Sequence, residues 1–128
     1  MKALLLAGAG LLIACASSIQ AGPGPSTAGE RAFQKCYSCH SIALGEAKLT
    51  GPQLGGIVGR PIASEPGFEY SPALRRFGKR EPRWTAELLD RYIADPEALV
   101  PGTSMAFNGI PDPAERAALI DYLSESRR

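Results

Sequence analysis

Apolar residues recur along this chain at helical spacing rather than in the alternation of a strand. No segment keeps a sustained alternation of apolar and polar positions, so no significant strand is predicted. Thr27 and Glu30 have the spacing of a capping box, which predicts a helix that begins here and runs toward Cys36. The pattern therefore predicts an all-α protein.

A second helix is predicted to begin after Thr85. The Thr85 hydroxyl can cap it, and Trp84 and Leu89 have the spacing of a hydrophobic staple. Asp95 precedes a proline and is expected to end the helix, because residues before proline avoid the helical region. The apolar face of this helix comprises Leu88, Leu89, Tyr92 and Ile93.

The last predicted helix begins at Asp112 as its cap, with Pro113 in the first turn and Glu115 as the acid of a capping box. Its apolar arc comprises Ala118, Leu119, Tyr122 and Leu123. Long turn-rich connections, 41–83 and 96–111, separate the helices. So much loop cannot pack unaided in a small domain, so we expect a group other than the protein to complete the core.

Composition restricts the classes of protein to which the chain can belong. It has 128 residues, of which 45% are hydrophobic and 21% charged, and this fits one globular domain. Its 14 basic and 13 acidic residues leave a formal net charge of +1, too weak for binding to a phosphate backbone. We therefore expect no nucleic-acid partner.

The N-terminus has the pattern of an export signal. A lysine precedes the apolar run Ala3–Ala14, which is shorter than the ~20 residues that span a bilayer but suits the core of a signal peptide. We assign residues 1–21 to a signal peptide, the Gly- and Pro-rich residues 22–28 to a linker, and 29–128 to the folded domain. The protein is thus expected to be exported to a bacterial periplasm.

Cys15 leaves two outcomes open for this N-terminus. Leu12, Ile13 and Ala14 precede it as in a bacterial lipoprotein processing site, so a lipid on Cys15 would tether the protein to a membrane. Ordinary cleavage after Ala21 would instead leave a soluble periplasmic protein and discard Cys15.

The segment Cys36-Tyr37-Ser38-Cys39-His40 contains residues that can attach a cofactor. Two thiols three residues apart can form thioethers with the two vinyl groups of a haem, and the adjacent imidazole can bind the iron. A zinc site usually needs four protein ligands, and outside the signal at most three are present here. A thioredoxin-like redox pair would need a βαβ context, which the pattern lacks. The segment therefore favours a c-type haem with His40 as one axial ligand.

The second axial ligand follows by elimination. His40 is the only histidine, and Met1 belongs to the signal, so Met105 is the remaining thioether. It follows a Pro-Gly turn, and a loop of this kind can hold sulfur against iron. Lys48 and Lys79 are the alternatives.

From Gly29 to Leu123 the sequence resembles the class I cytochromes c, closest to the branch of mitochondrial cytochrome c and bacterial cytochrome c2. Besides the haem motif, Gly51–Arg60 resembles the segment after the haem-binding helix, and Tyr70–Ala73 resembles the loop on the propionate side. The resemblance implies the cytochrome c fold, with three main helices and long loops around one haem bound covalently through Cys36 and Cys39. It also implies a one-electron carrier and not an enzyme.

The resemblance also implies roles around the haem. The carbonyl of Pro52 would accept a hydrogen bond from the outer nitrogen of His40 and orient the ring. Arg60, Tyr70 and Trp84 would hydrogen-bond the haem propionates.

On the side of the second ligand, Tyr92 would donate to the sulfur of Met105, with Thr103 in the same polar cluster. Leu74 stands where mitochondrial members have an asparagine of an internal water network.

The resemblance implies respiratory or photosynthetic redox proteins as partners, and we expect a monomer. The lysine ring of the family is largely missing, with only Lys35, Lys48 and Lys79 left, so docking to a strongly acidic partner does not follow from family membership. An electron-relay subunit of a dehydrogenase or oxidase complex is the alternative. A haem peroxidase is disfavoured, because it needs an open coordination position on the iron and Met105 would occupy that position.

Overall fold

Five helices make up the regular structure of the residues that the computed structural model describes, which are 27–43, 46 and 49–126. In chain order they are α1 (Ala28–Phe33), α2 (Pro72–Arg80), α3 (Ala86–Ala94), α4 (Pro96–Leu99) and α5 (Pro113–Glu125). Within these ranges no strand occurs, and a single antiparallel bridge joins Pro61 and Arg83. The predicted signal peptide, most of the predicted linker, Cys15 and Lys48 lie outside the described residues.

The predicted capping box forms at the start of α1. The Thr27 hydroxyl accepts a hydrogen bond from the Glu30 N–H at 3.1 Å, and the Glu30 carboxylate accepts one from the Thr27 N–H at 3.0 Å. The helix begins at Ala28, inside the segment expected to be linker. A Cβ on Gly29 would lie 2.4 Å from Cβ of Tyr122, so α1 crosses α5 at a distance that only glycine permits.

The start and end of α3 agree with the prediction. Thr85 caps it by accepting from the Leu88 N–H at 3.1 Å, and the helix ends before Asp95. All four residues of the predicted apolar face are buried. An ion pair between Arg116 of α5 and Asp90, at 2.7 Å, joins α3 to α5.

The expectation of three main helices omitted α2, which lies inside the predicted connection 41–83. Its start has a local cause: the Ser71 hydroxyl accepts from the Leu74 N–H at 3.2 Å, and Pro72 occupies the first turn. Buried Ala73 and Phe77 hold the helix against the rest of the protein. The serine and the proline therefore form a helix start signal, and Ala73, Leu74 and Phe77 follow it at helical spacing.

Two details near the last helix also differ from expectation. Asp95 ends α3 and then caps the short α4, which lies in the predicted connection 96–111. The Asp112 carboxylate accepts from the Ala114 N–H rather than from Glu115, and Glu115 forms an ion pair with Lys35 at 2.6 Å. The first-turn acid thus helps to join the end of the α1 region to α5.

Candidate haem-binding site

Side chains from α2, α3, α5 and the connecting segments surround one cavity of about 430 Å³. This volume is in the range of sites for small molecules and cofactors. Its wall is mostly apolar, and Leu54, Ile57 and Leu89 contribute to it. All ten predicted site residues line this cavity: Cys36, Cys39, His40, Pro52, Arg60, Tyr70, Trp84, Tyr92, Thr103 and Met105.

The two cysteines lie on one helical turn. The N–H groups of Cys39 and His40 both donate to the Cys36 carbonyl, at 3.0 and 2.9 Å. Burial raises the pKa of the Cys36 thiol to about 11. The Cys39 thiol is exposed, and hydrogen bonds from Thr50 and then Ser38 lower its pKa. Neither forms a disulfide, and both line the cavity wall, where two thioethers can form.

His40 is held in a defined orientation. Its Nδ1 lies 2.7 Å from the Pro52 carbonyl oxygen, so Nδ1 carries the proton and Nε2 keeps its lone pair. A Cβ on Gly51 would lie 2.4 Å from Cε1 of the ring, so only a glycine lets the backbone pass this close. Burial lowers the pKa of His40, although the Pro52 carbonyl opposes this, and the neutral imidazole is the form that binds a metal.

Met105 lies on the loop after α4. The hydroxyls of Tyr92 and Thr103 are 2.9 Å apart, and Thr103 also accepts from the Met105 N–H at 3.3 Å. Tyr92 and Thr103 therefore form a polar cluster beside Met105, in which either hydroxyl can be the donor of the bond between them. Glu97 accepts from the Gly102 N–H at 2.9 Å and fixes the start of the loop.

The three residues expected near the propionates already have protein contacts. Arg60 donates to the side-chain oxygen of Gln53 at 3.0 Å and to the Gln53 carbonyl. The Tyr70 hydroxyl accepts from the Glu65 N–H at 3.1 Å, and its own proton remains available to donate. Trp84 is buried, with its ring 5.0 Å from that of Tyr92.

Gln53 and Glu65 were not identified from the sequence. Gln53 also donates to the Ile42 carbonyl at 2.9 Å, and Glu65 lies 3.7 Å from the Arg60 guanidinium. These contacts link loop positions that no periodic pattern relates, so the sequence offered no signal for them.

The donor set of the cavity fits a haem better than a bare metal ion. Among the described residues no group of three or more His, Cys, Asp and Glu side chains could hold a metal. One imidazole and one thioether at the wall of an apolar cavity can instead supply the two axial ligands of a metal that a macrocycle already holds. The two free thiols at the same wall fit its covalent attachment.

Comparisons with known proteins agree with this site. The sequence model of the cytochrome c family matches residues 26–127, so the chain belongs to that family. The chain is 38% identical over 116 residues to cytochrome c2 of Blastochloris viridis, covering 91% of this chain and 89% of the relative.

Solved structures of bacterial cytochromes c share the fold. Cytochrome c2 from Rhodospirillum centenum superposes with a TM-score of 0.72 at 32% identity, covering 78% of this chain and 96% of that one. Cytochrome cH from Methylobacterium extorquens gives a TM-score of 0.67 at 39% identity, over 75% of this chain and 93% of that one.

Family membership confirms the class, the fold and the cofactor predicted from the sequence. The protein is an all-α cytochrome c that carries one haem bound covalently through Cys36 and Cys39. It is a one-electron carrier and not an enzyme, and it exchanges electrons with redox partners. In the part of the chain that the structure describes, no helix has the length and apolarity needed to cross a membrane.

Proposed function

We propose that this chain carries electrons between respiratory or photosynthetic redox proteins outside the cytoplasm, with His40 Nε2 and Met105 Sδ as the axial ligands. The placement of both side chains at the wall of one cavity carries this proposal. Haem c supplies a one-electron couple, and ligation by His and Met raises its reduction potential. Partner binding is weak, with an interface under ~1,200 Å², because turnover needs fast release.

The chain's own residues have distinct tasks in this proposal. Pro52 keeps the proton of His40 on Nδ1 and thereby holds Nε2 ready to bind. Arg60, Tyr70 and Trp84 hydrogen-bond the propionates, whose burial without partners would be costly. The apolar side chains at the wall exclude water from the cavity.

The mass of the intact native protein, compared with that of a Cys36→Ser variant, tests the covalent site. A native protein that lacks the mass of a haem would contradict covalent attachment. Cys36→Ser removes one of the two thioethers and is expected to lower the yield of holoprotein.

Removal of Met105 tests the second axial ligand. We expect Met105→Ala to retain covalent haem, to bind cyanide or carbon monoxide, and to have a lower potential than the wild type. Lys79 is exposed on α2 and does not line the cavity, so Lys79→Ala is the matched control and should leave the spectrum unchanged. A Met105→Ala protein with the wild-type spectrum and potential would exclude Met105 as the ligand. Lys48 would then be the next candidate to replace.

We further propose that the mature protein is an exported monomer in the bacterial periplasm. Residues 1–21 act as its signal and residues 22–28 as a linker before the domain 29–128. Processing at Cys15 would add a lipid, whereas cleavage after Ala21 would leave a soluble carrier.

Fractionation of the host and a mass spectrum of the mature N-terminus distinguish the two outcomes. A diacylglyceryl group on Cys15 would support the tethered form, which would confine the carrier to the membrane plane. A soluble protein that begins at Gly22 would exclude the tether. Sedimentation of the holoprotein at several concentrations tests whether it is monomeric.

A further inference from the structure

Basic side chains are concentrated on α2 and the turn that follows it. This stretch holds five of the 14 basic residues of the chain but only one of its 13 acidic residues, so acidic residues outnumber basic ones elsewhere. All five basic residues are exposed, and together they form what we call the α2 basic surface: Arg75, Arg76, Lys79, Arg80 and Arg83.

Most of this positive charge has no counterpart within the protein. Arg75 pairs with Glu69 at 2.8 Å, but the Glu69 side chain is 96% exposed, so water screens the pair strongly. The guanidinium of Arg80 lies 5.8 Å from the centre of the Phe77 ring. No carboxylate among the described residues forms an ion pair with Arg76 or Lys79.

One residue on the inner side of α2 reaches the cofactor cavity. Ala73 and Phe77 are buried, and Leu74 lines the cavity. The outer face is therefore separated from the cavity by about one helix diameter, roughly 10 Å. A protein bound to the α2 basic surface would come within a short distance of the haem site.

The segment just before the loop of Met105 carries the opposite charge, and the loop itself has no charged residue. Glu97 bonds to Gly102 at the start of this loop, and Asp95 is exposed in the same segment. Of the lysines left from the family's ring, Lys35 is already paired with Glu115. The concentrated positive charge thus lies on α2 and not on the loop of the second axial ligand.

We propose that the α2 basic surface docks an acidic surface of a redox partner protein. The proposal rests on the electron-carrier function and names the docking site for it. Four of the five side chains are arginines, whose planar guanidinium groups can hold carboxylates through two hydrogen bonds. An interfacial membrane helix would present large apolar residues outward, whereas those of α2 face the protein interior.

The test compares two charge-reversed pairs of the holoprotein at low ionic strength. The docking pair is Arg76→Glu with Lys79→Glu, and the control pair is Arg31→Glu with Arg91→Glu on the exposed sides of α1 and α3. Both pairs change the net charge equally. The probe is poly-L-glutamate, and the measured quantity is its dissociation constant.

We expect the docking pair to bind poly-L-glutamate at least about tenfold more weakly than the wild type, and the control pair to stay within about threefold. An equal loss in both pairs would mean that net charge alone acts, and it would overturn the proposal. If the docking pair does not fold, Arg76→Gln with Lys79→Gln should give a smaller loss in the same direction, and no loss there would also overturn it.

Two further measurements distinguish docking to a protein from binding to a lipid surface and from a failure of the carrier function. Vesicles of equal parts phosphatidylcholine and phosphatidylglycerol should bind more weakly than poly-L-glutamate, and stronger binding that depends on Arg76 and Lys79 would assign the surface to lipid instead. Every variant should still accept an electron from ascorbate and give it to ferricyanide. Loss of this exchange in the wild type would contradict the carrier function itself, whereas weak poly-L-glutamate binding with intact exchange would contradict only the docking site.

Discussion

The hydroxyl groups of Tyr92 and Thr103 lie 2.9 Å apart and join α3 to the loop that carries Met105. Thr103 is the centre of this arrangement, since it also accepts the Met105 N–H at 3.3 Å. The loop is therefore positioned in part through its threonine, next to the methionine proposed as the second axial ligand.

Replacing Thr103 should cost more stability than replacing Tyr92. Thr103→Val removes the partner of a buried hydroxyl and is expected to lower the free energy of unfolding by about 1–3 kcal/mol. Tyr92→Phe removes one hydrogen bond but leaves Thr103 bonded to the loop, so about 0.5–1.5 kcal/mol is expected. Denaturant unfolding of both holoproteins measures this difference. A larger loss in Tyr92→Phe would contradict the central role of Thr103.

The crossing of α1 and α5 predicts a steric effect at Gly29. In Gly29→Ala the new methyl group would lie 2.4 Å from Cβ of Tyr122, so the helices must move apart. We expect a loss of about 1–3 kcal/mol in the free energy of unfolding, reduced in part by the better helix propensity of alanine.

Gly78→Ala provides the matched control for that variant. Gly78 also lies in a helix, but its new methyl group would be 3.1 Å from Ile62 Cγ2, so a small shift can accommodate it. We expect a clearly smaller loss than for Gly29→Ala in the same thermal or denaturant experiment. Equal losses would show that the packing of α1 against α5 does not depend on their close approach at Gly29.

The parts of the fold that local signals determine could be predicted from the sequence. The hydroxyl of Thr85 and the proline after Asp95 act on their immediate neighbours, and α3 has the predicted bounds and face. The helix α2 was missed although Ala73, Leu74 and Phe77 have helical spacing, because the many glycines and prolines of 41–83 led the whole segment to be assigned to a turn-rich connection.

The features of the site also differ in whether a local sequence signal identifies them. The spacing of Cys36, Cys39 and His40 is local chemistry, and it identified the cofactor directly. The proximity of Tyr92 and Thr103 came from the family resemblance and not from spacing, because it depends on how the loop at Thr103 folds back on α3. The concentration of positive charge on α2 is also not visible in the net charge of +1, because that value sums the charges of the whole chain.

Leu74 offers a test of how the cavity wall acts on the cofactor. Leu74→Asn places an amide in a mostly apolar wall, and we expect the unfolding free energy to fall by about 1–3 kcal/mol. The reduction potential should also fall, because a more polar surrounding stabilises the additional positive charge of the oxidised iron. Leu74→Met keeps the volume and polarity and is the control. An unchanged potential in Leu74→Asn would show that Leu74 packs against its neighbours without affecting the potential of the haem.

The buried Tyr92 hydroxyl predicts a loss of stability in alkali. Burial raises the pKa of Tyr92 above its usual 10.0, a hydrogen bond with Thr103 opposes this, and the charge of Glu97 adds to the rise. The unfolded chain therefore releases this proton first, so the stabilisation is complete below pH 10.0 and is lost as pH rises through the folded pKa.

The measurement is the unfolding free energy of the holoprotein on both sides of the usual tyrosine pKa. We expect a decline with rising pH that is smaller in Tyr92→Phe by up to about 1.4 kcal/mol for each unit by which the pKa is raised. Tyr37 is 59% exposed, so Tyr37→Phe should leave the decline unchanged and serves as the control. Identical pH profiles for the wild type and Tyr92→Phe would show that another group causes the loss, with Tyr70, whose pKa burial also raises, as the next to replace.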